Sequence, residues 1–235
     1  MNELAKVFKN FIYRDIVYII GGFSVILTFL HTIGKICLLT KIDCTAGYLY
    51  LAGIGYVIGY CIQDTASWIG IVTTAGYFKP GPIRIWFYER FTREKWENVF
   101  PDINDQKKED REKKIFQRLK ETEFKIKKKH RAEHERIISL MLIGTTIGPC
   151  GLISAFLLLC KIVRWILCKY FIVFLKSLPK LDSLISAVFT EELLFDIGLA
   201  VGIIAVSVCL IILGWVKGME LTKNTEDLYN LYNSQ

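Results

Sequence analysis

One ionisable residue lies deep inside an apolar segment of the chain. Asp64 is the single charge in residues 44–78, and Gln63 precedes it. Intramembrane carboxylates are energetically costly and usually face the interior of a helix bundle or water. Asp64 is therefore a candidate ion-path or gating residue, with Gln63 as a hydrogen-bonding neighbour. The alternative is a structural aspartate at the membrane interface, which applies if the span ends near Gln63.

The three histidines offer two kinds of chemistry. His31 lies near the end of the first apolar run and could pair with an acid such as Asp43, as a structural histidine. His130 and His134 match the H-x-x-E-H pattern of inverted zinc peptidases, and their spacing puts both rings on one helix face, as a metal requires. No third ligand is fixed by the sequence, and the motif lies in a lysine-rich helix. We therefore expect a solvated helix there, with no metal and no cofactor.

Glycine pairs at GxxxG spacing occur in three apolar segments. Such pairs let two helices approach closely, within a chain or between copies of it. Pro149 removes a backbone donor and is expected to bend its helix, so the glycine-rich stretch around it is a candidate hinge. The candidate packing and hinge residues are Gly55, Gly59, Gly144, Gly148, Pro149, Gly198 and Gly202.

The chain has four apolar runs, at 16–34, 44–78, 137–160 and 197–216. His31 lies in the first run, and the glycine pairs lie in the other three. A hydrocarbon core about 30 Å thick needs about 20 apolar helical residues, so each run predicts a membrane span. The second run would reach about 52 Å as one helix. It is expected to tilt, or to break near Gln63 and Asp64, and to end at the Pro80-Gly81-Pro82 cluster.

The basic residues predict the orientation of the spans. Four spans put the N-terminus, residues 79–136 and the C-terminus on one side, and these parts hold 23 of the 30 lysines and arginines. Because loops rich in Lys and Arg stay in the cytoplasm, both termini are predicted to be cytoplasmic. The protein is predicted to reside in a plasma or inner membrane.

The segment 79–136 carries 18 basic and 12 acidic residues. Its aromatic first part predicts an elbow helix on the inner membrane surface, with a small soluble subdomain as the alternative. Its second part, 104–136, predicts a solvated helix. A basic run within it is a candidate site for a partner or for anionic lipid headgroups, which explain it without nucleic acid. That run is Lys125, Lys127, Lys128, Lys129 and Arg131.

Residues 161–178 combine basic and apolar positions. Spaced at helical intervals, Lys161, Arg164, Lys169 and Lys176 share one arc of a helix. This pattern predicts a basic amphipathic helix, which either lies at the outer interface or lines a water-filled vestibule.

The fold class that follows is an all-α polytopic membrane protein with four spans and a cytoplasmic helical insertion between the second and third. The predicted parts are 1–78, 79–136, 137–216 and 217–235. In architecture alone this resembles small four-span components of bacterial defence systems. The function expected is a non-enzymatic, homo-oligomeric sensor or pore-type effector, embedded in membrane lipids, whose cytoplasmic helix binds a soluble protein. The alternatives are a metal-dependent hydrolase using His130 and His134, and a structural anchor for a soluble partner.

Overall fold

The computed structural model describes residues 2–42, 45–72, 82–96, 117–118, 128–175 and 191–233. The predicted all-helical fold is confirmed, since these residues include no strand. The elements are α1 (Asn2–Thr32), a 3₁₀-helix (Ile36–Lys41), α2 (Thr45–Trp68), α3 (Pro82–Thr92), α4 (Lys128–Leu175) and α5 (Glu191–Asn233).

Four of these helices are long and apolar enough to cross a membrane, which confirms the predicted number of apolar helices. The apolar segments lie in Asp15–Thr32, Thr45–Trp68, His134–Cys168 and Glu192–Leu231. Most residues within them remain accessible at the surface of the chain. Many large apolar side chains are therefore left for lipid or for another protein surface to cover.

Of the two courses predicted for the second apolar run, the break near Gln63 and Asp64 does not occur, and the predicted end at the proline cluster is wrong. α2 continues through Gln63 and Asp64 without a break, and it ends at Trp68 rather than at the proline cluster. The end is fixed by Gly70, which has a φ of 80°. Glycine adopts this left-handed conformation without a Cβ clash, and the amides of residues 69–72 then bond to carbonyls of the last turn of α2.

α4 is one continuous helix of 48 residues. Pro149 lies inside it and does not end it, because neighbouring groups can compensate for one lost backbone bond in a tightly packed helix. Residues 161–175 continue the same helix, so they do not start a separate element as the amphipathic pattern suggested. Lys176 lies outside the described residues.

The first of two compact units comprises residues 15–62 and 146–208. Its helices approach each other at small residues. A Cβ atom at Gly22 would overlap the carbonyl of Gly55, and one at Gly59 would overlap the carbonyl of Tyr18. The Tyr18 ring packs edge-on against Tyr56 and Tyr60, with ring centres 5.5 Å and 5.7 Å away. The crossing of α1 and α2 is therefore a contact of backbone on backbone, flanked by aromatic rings.

The second unit comprises residues 1–14, 63–145 and 209–235. Here α4 and α5 meet at Gly144, where a Cβ would overlap the Leu210 carbonyl and the Gly214 amide. Further along, Ile137, Met141 and Leu221 form a buried apolar cluster. Small residues and an apolar seam thus hold these two helix segments together.

Candidate functional site

Three ionisable side chains meet in the first unit. Asp196 Oδ2 lies 2.7 Å from Lys161 Nζ, and Asp196 Oδ1 lies 3.1 Å from His31 Nε2. Lys161 Nζ also lies 3.0 Å from the same His31 nitrogen. The Asp196 side chain is only 9% exposed. We call these three residues the ion cluster; its His31 and Lys161 side chains are 35% and 26% exposed.

Helix packing places the ion cluster. His31 is in the last turn of α1, Lys161 is on α4 and Asp196 is near the start of α5. On each side of the Lys161–Asp196 pair, apolar residues of the same helix faces pack together. This buried core is formed by Leu158, Ile162, Leu193 and Ala200. The core fixes the register of α4 against α5, so the ammonium and carboxylate meet without a flexible loop.

The imidazole of His31 contacts both partners through one nitrogen. A neutral imidazole nitrogen either carries a hydrogen and donates, or lacks it and accepts. With a hydrogen, Nε2 donates to the carboxylate of Asp196; without it, Nε2 accepts from the ammonium of Lys161. Whether Nε2 carries the hydrogen therefore decides whether the ring bonds to Asp196 or to Lys161.

The ion cluster forms one wall of an open cleft of about 780 Å³. The cleft also contains Arg164 and Glu192, which are both exposed, and Phe195. Its lining thus carries charges of both signs beside apolar side chains. This volume lies within the range of about 300–1,000 Å³ typical of sites for small molecules.

Among the residues singled out from sequence, His31 and Lys161 belong to this site, and Arg164 lines the cleft beside it. Asp43, named as a possible partner, lies outside the described residues, and Asp196 takes that role. Asp64 is exposed on α2, shortly before the helix ends, whereas Gln63 is buried. The Oε1 atom of Gln63 has no hydrogen-bond partner among the described residues.

The glycine pairs differ in what they contact. Gly55 and Gly59 pack on α1, and Gly144 packs on α5, as described above. In contrast, Gly198 and Gly202 are exposed and have no atom of the described chain within 4 Å of an added Cβ. Gly148 and Pro149 are buried within α4.

Sequence reasoning missed two glycines that complete these contacts. Gly22 faces the Gly55–Gly59 pair, and Gly214 faces Gly144. Gly22 was visible as half of a Gly-Gly step inside an apolar run, but it has no glycine four residues away. A GxxxG search alone therefore does not find it.

The alternative of a metal site at His130 and His134 gains no support from the described residues, where no group of three or more His, Cys, Asp or Glu side chains comes together. His134 is buried in α4, and its Nδ1 atom has no hydrogen-bond partner there. His130, Lys128, Lys129 and Arg131 belong to the first turn of α4. Lys125 and Lys127 lie outside the described residues.

In the second unit, α5 contacts the segments that follow α2 and α3. Glu94 forms an ion pair with Lys223, and the hydrogen bond from Lys223 lowers the pKa of the Glu94 carboxyl. Burial, together with the nearby Glu94 charge, raises the pKa of Tyr88 to about 12. The Trp215 ring donates from Nε1 to the Ile71 carbonyl at 2.8 Å.

A further ion pair of the second unit lies near the C-terminal end of α5. Arg118 bonds to Glu226 and lies over the Tyr229 ring, 4.9 Å from its centre. Glu226 is 3% exposed in its side chain, so this acid is buried with a cation beside it. Burying the carboxylate without such a partner would be strongly unfavourable.

Comparison with known proteins gives no family for this chain. No family model, no curated protein and no solved structure matches it.

Proposed function

We propose that this chain is an integral membrane protein with four spans that acts as a sensor or pore-type effector and carries out no chemical reaction. The observation that carries the proposal is the ion cluster of His31, Lys161 and Asp196 beside an open cleft. Ionisable groups within spanning helices are costly, and they are by default candidates for an ion pathway or a ligand site.

The position of the ion cluster along the spans supports a vestibule. His31 closes the segment Asp15–Thr32, Lys161 lies near the end of His134–Cys168, and Asp196 lies near the start of Glu192–Leu231. All three segments reach the same membrane face at these ends. The excess of Lys and Arg on the other side makes this face the outer one. Ions or a small charged ligand would enter the cleft from that side.

The length of α4 supports coupling to a cytoplasmic partner. Its 48 residues would extend about 72 Å as a straight helix, more than twice the roughly 30 Å hydrocarbon core. The part that projects on the basic side would offer a soluble protein a surface on the same helix that carries Lys161. A partner that moves this helix along its axis also moves its membrane span.

The exposed Gly198–Gly202 pair supports association with a second copy. It lies on a face of α5 that the described chain leaves uncovered. Small residues on a lipid-facing surface let helices of two subunits approach closely. In a homo-oligomer, spans from more than one subunit could surround the ion path of a pore-type effector.

The test is ion flux into liposomes that contain the purified protein, with a matched pair of variants. Asp196→Asn and Glu192→Gln each neutralise one carboxylate of the same cleft, but only Asp196 belongs to the ion cluster. We expect Asp196→Asn to change the flux at least several-fold and Glu192→Gln to leave it close to that of the unmodified protein. Equal effects of the two variants would reject the assignment of the ion cluster. No flux under any ionic condition or voltage would reject the pore version and leave the sensor version to ligand-binding measurements.

A further inference from the structure

A second cleft, of about 570 Å³, lies between the end of α3 and the middle of α5 in the second unit. Phe91 of α3 forms one wall, and this residue is 66% exposed. Cys209, Ile212 and Val216 of α5 contribute apolar lining. The cleft is separate from the ion cluster, and the function proposed above does not use it.

The lining of this cleft changes from apolar to charged along α5. Cys209, Ile212, Val216 and Glu220 are three or four residues apart, so they follow one face of the helix over about 16 Å. The apolar positions come first, and Lys217 and Glu220 stand at the far end. A molecule that fits this surface has an apolar chain and a charged head.

The charged end of the cleft carries both signs. Lys217 Nζ bonds to a carboxylate oxygen of Glu220, and the two side chains remain 21% and 31% exposed. The nearby Thr92 hydroxyl donates to the Tyr88 carbonyl at 2.8 Å, so it is already used to close α3. The head of the ligand therefore meets one ammonium and one carboxylate.

A phosphoethanolamine head complements this ion pair. Its phosphate accepts hydrogen bonds from Lys217, and its primary ammonium donates to Glu220. A phosphoglycerol head carries only the negative charge and is repelled by Glu220. A phosphocholine head has no N–H group to donate. We propose that the cleft binds one phospholipid with a phosphoethanolamine head, its acyl chain lying along Cys209, Ile212 and Val216.

The neighbouring surface of α3 has the residue types expected at the depth of the lipid headgroups, where the head of this ligand would lie. Ile83, Trp86 and Phe91 are exposed, on a helix that also carries Arg90. Aromatic side chains beside basic ones are typical of the headgroup region of a membrane. The proposal rests on the membrane placement proposed above, but not on conduction or on the role of the ion cluster.

The experiment measures lipid binding to the purified, delipidated full chain in detergent. Phosphatidylethanolamine, phosphatidylglycerol and phosphatidylcholine with identical acyl chains are titrated, and native mass spectrometry counts the lipid bound per chain. We expect one phosphatidylethanolamine per chain, held about tenfold more tightly than the other two lipids. That factor corresponds to one charge-assisted hydrogen bond.

Two matched variants test the head-group assignment. Glu220→Gln removes the acceptor for the ammonium and leaves Lys217, so the preference is expected to shift from phosphatidylethanolamine to phosphatidylglycerol. Asp227→Asn makes the same change of charge on the exposed surface of α5 and is expected to keep the original preference. Because the first variant gains affinity for a lipid, loss of folding cannot imitate its result.

Several outcomes would overturn the proposal. Equal binding of the three lipids would indicate non-selective lipid around the helices. Selective binding of phosphatidylglycerol by the unmodified chain would contradict the role of Glu220. A cleft covered by another part of this chain would bind none of them. Failure of the flux assay leaves all these results unaffected, whereas a chain that stays soluble without detergent removes the membrane placement itself.

Discussion

Exchanging one glycine for alanine should destabilise the chain at Gly59 but not at Gly202, although both belong to GxxxG pairs. A Cβ at Gly59 would overlap the Tyr18 carbonyl oxygen and lie 2.9 Å from its carbon. Carbon contacts are favourable near 3.5–4.0 Å, and the contact with the oxygen is closer still, so α1 and α2 must separate by about 1 Å. A gap of that size removes about a quarter to a half of the dispersion energy of each contact along the crossing.

The magnitude for Gly59→Ala follows from this separation. Overpacking of a close contact destabilises by about 1–3 kcal/mol, and here the neighbour is backbone, which cannot rotate away. The edge-on ring pairs of Tyr18 with Tyr56 and Tyr60 also loosen. At about 2–4 °C per kcal/mol for a chain of this length, the thermal midpoint should fall by about 2–12 °C.

Gly202→Ala is the matched control. An added Cβ at Gly202 meets no atom of the described chain within 4 Å, and alanine favours a helix over glycine by up to about 1 kcal/mol. In the separated subunit its midpoint should stay the same or rise, whereas at an interface between copies it should fall together with loss of the oligomer. The assay is the thermal midpoint in mild detergent by tryptophan fluorescence, with oligomeric state followed by size-exclusion chromatography.

Two results would refute this reasoning. One is a Gly59→Ala protein as stable as the unmodified chain, which would mean that the backbone contact of α1 and α2 is absent. The other is an equal loss in both variants with no change of oligomeric state. A loss at Gly202 that accompanies dissociation of an oligomer would instead place Gly202 at an interface between copies.

Two ion pairs, one buried tyrosine and one tryptophan hydrogen bond should each have a measurable effect on stability. Asp196→Leu alone should destabilise by about 1–3 kcal/mol because it leaves the ammonium of Lys161, 26% exposed, without its carboxylate, and adding Lys161→Met should recover much of this loss; denaturation of both variants tests the pair. The lowered pKa of Glu94 means that its contribution to stability is present above its ordinary pKa of 4.5 and is lost as the pH falls through the lowered value; Glu94→Gln should flatten this acid limb of a stability–pH curve. The pKa of Tyr88, raised from 10.0 to about 12, predicts a stability that declines as the pH rises across that interval, and Tyr88→Phe should abolish the decline. Trp215→Phe removes the hydrogen bond to the carbonyl at the end of α2 and should lower stability by about 1 kcal/mol in a thermal unfolding assay.

The end of α2 shows where sequence reasoning failed. Apolar composition continues to Phe78, so hydropathy alone gave no reason for the helix to stop at Trp68. The signal was Gly70, because a glycine just after a helical pattern is a frequent C-terminal cap. The helix end was instead predicted at the proline cluster, because proline is the stronger helix breaker.

The partner of His31 was a harder problem. Asp196 lies 165 positions away in the chain and only a few residues into its helix, whereas Asp43 is close in sequence. Which acid meets His31 depends on the rotation of α1, α4 and α5 about their axes and on their axial register relative to one another. A single sequence contains neither quantity, although both His31 and Asp196 could be seen near the ends of apolar runs.

The sequence by itself determined the all-helical class and the four helices long and apolar enough to span a membrane. These follow from composition and run length, which are properties of the chain taken one residue after another. The tertiary structure decided which glycines touch and which remain open, and it brought His31, Lys161 and Asp196 together. Those contacts depend on the rotation and register of packed helices, which are fixed by backbone fit at Gly22, Gly59 and Gly144.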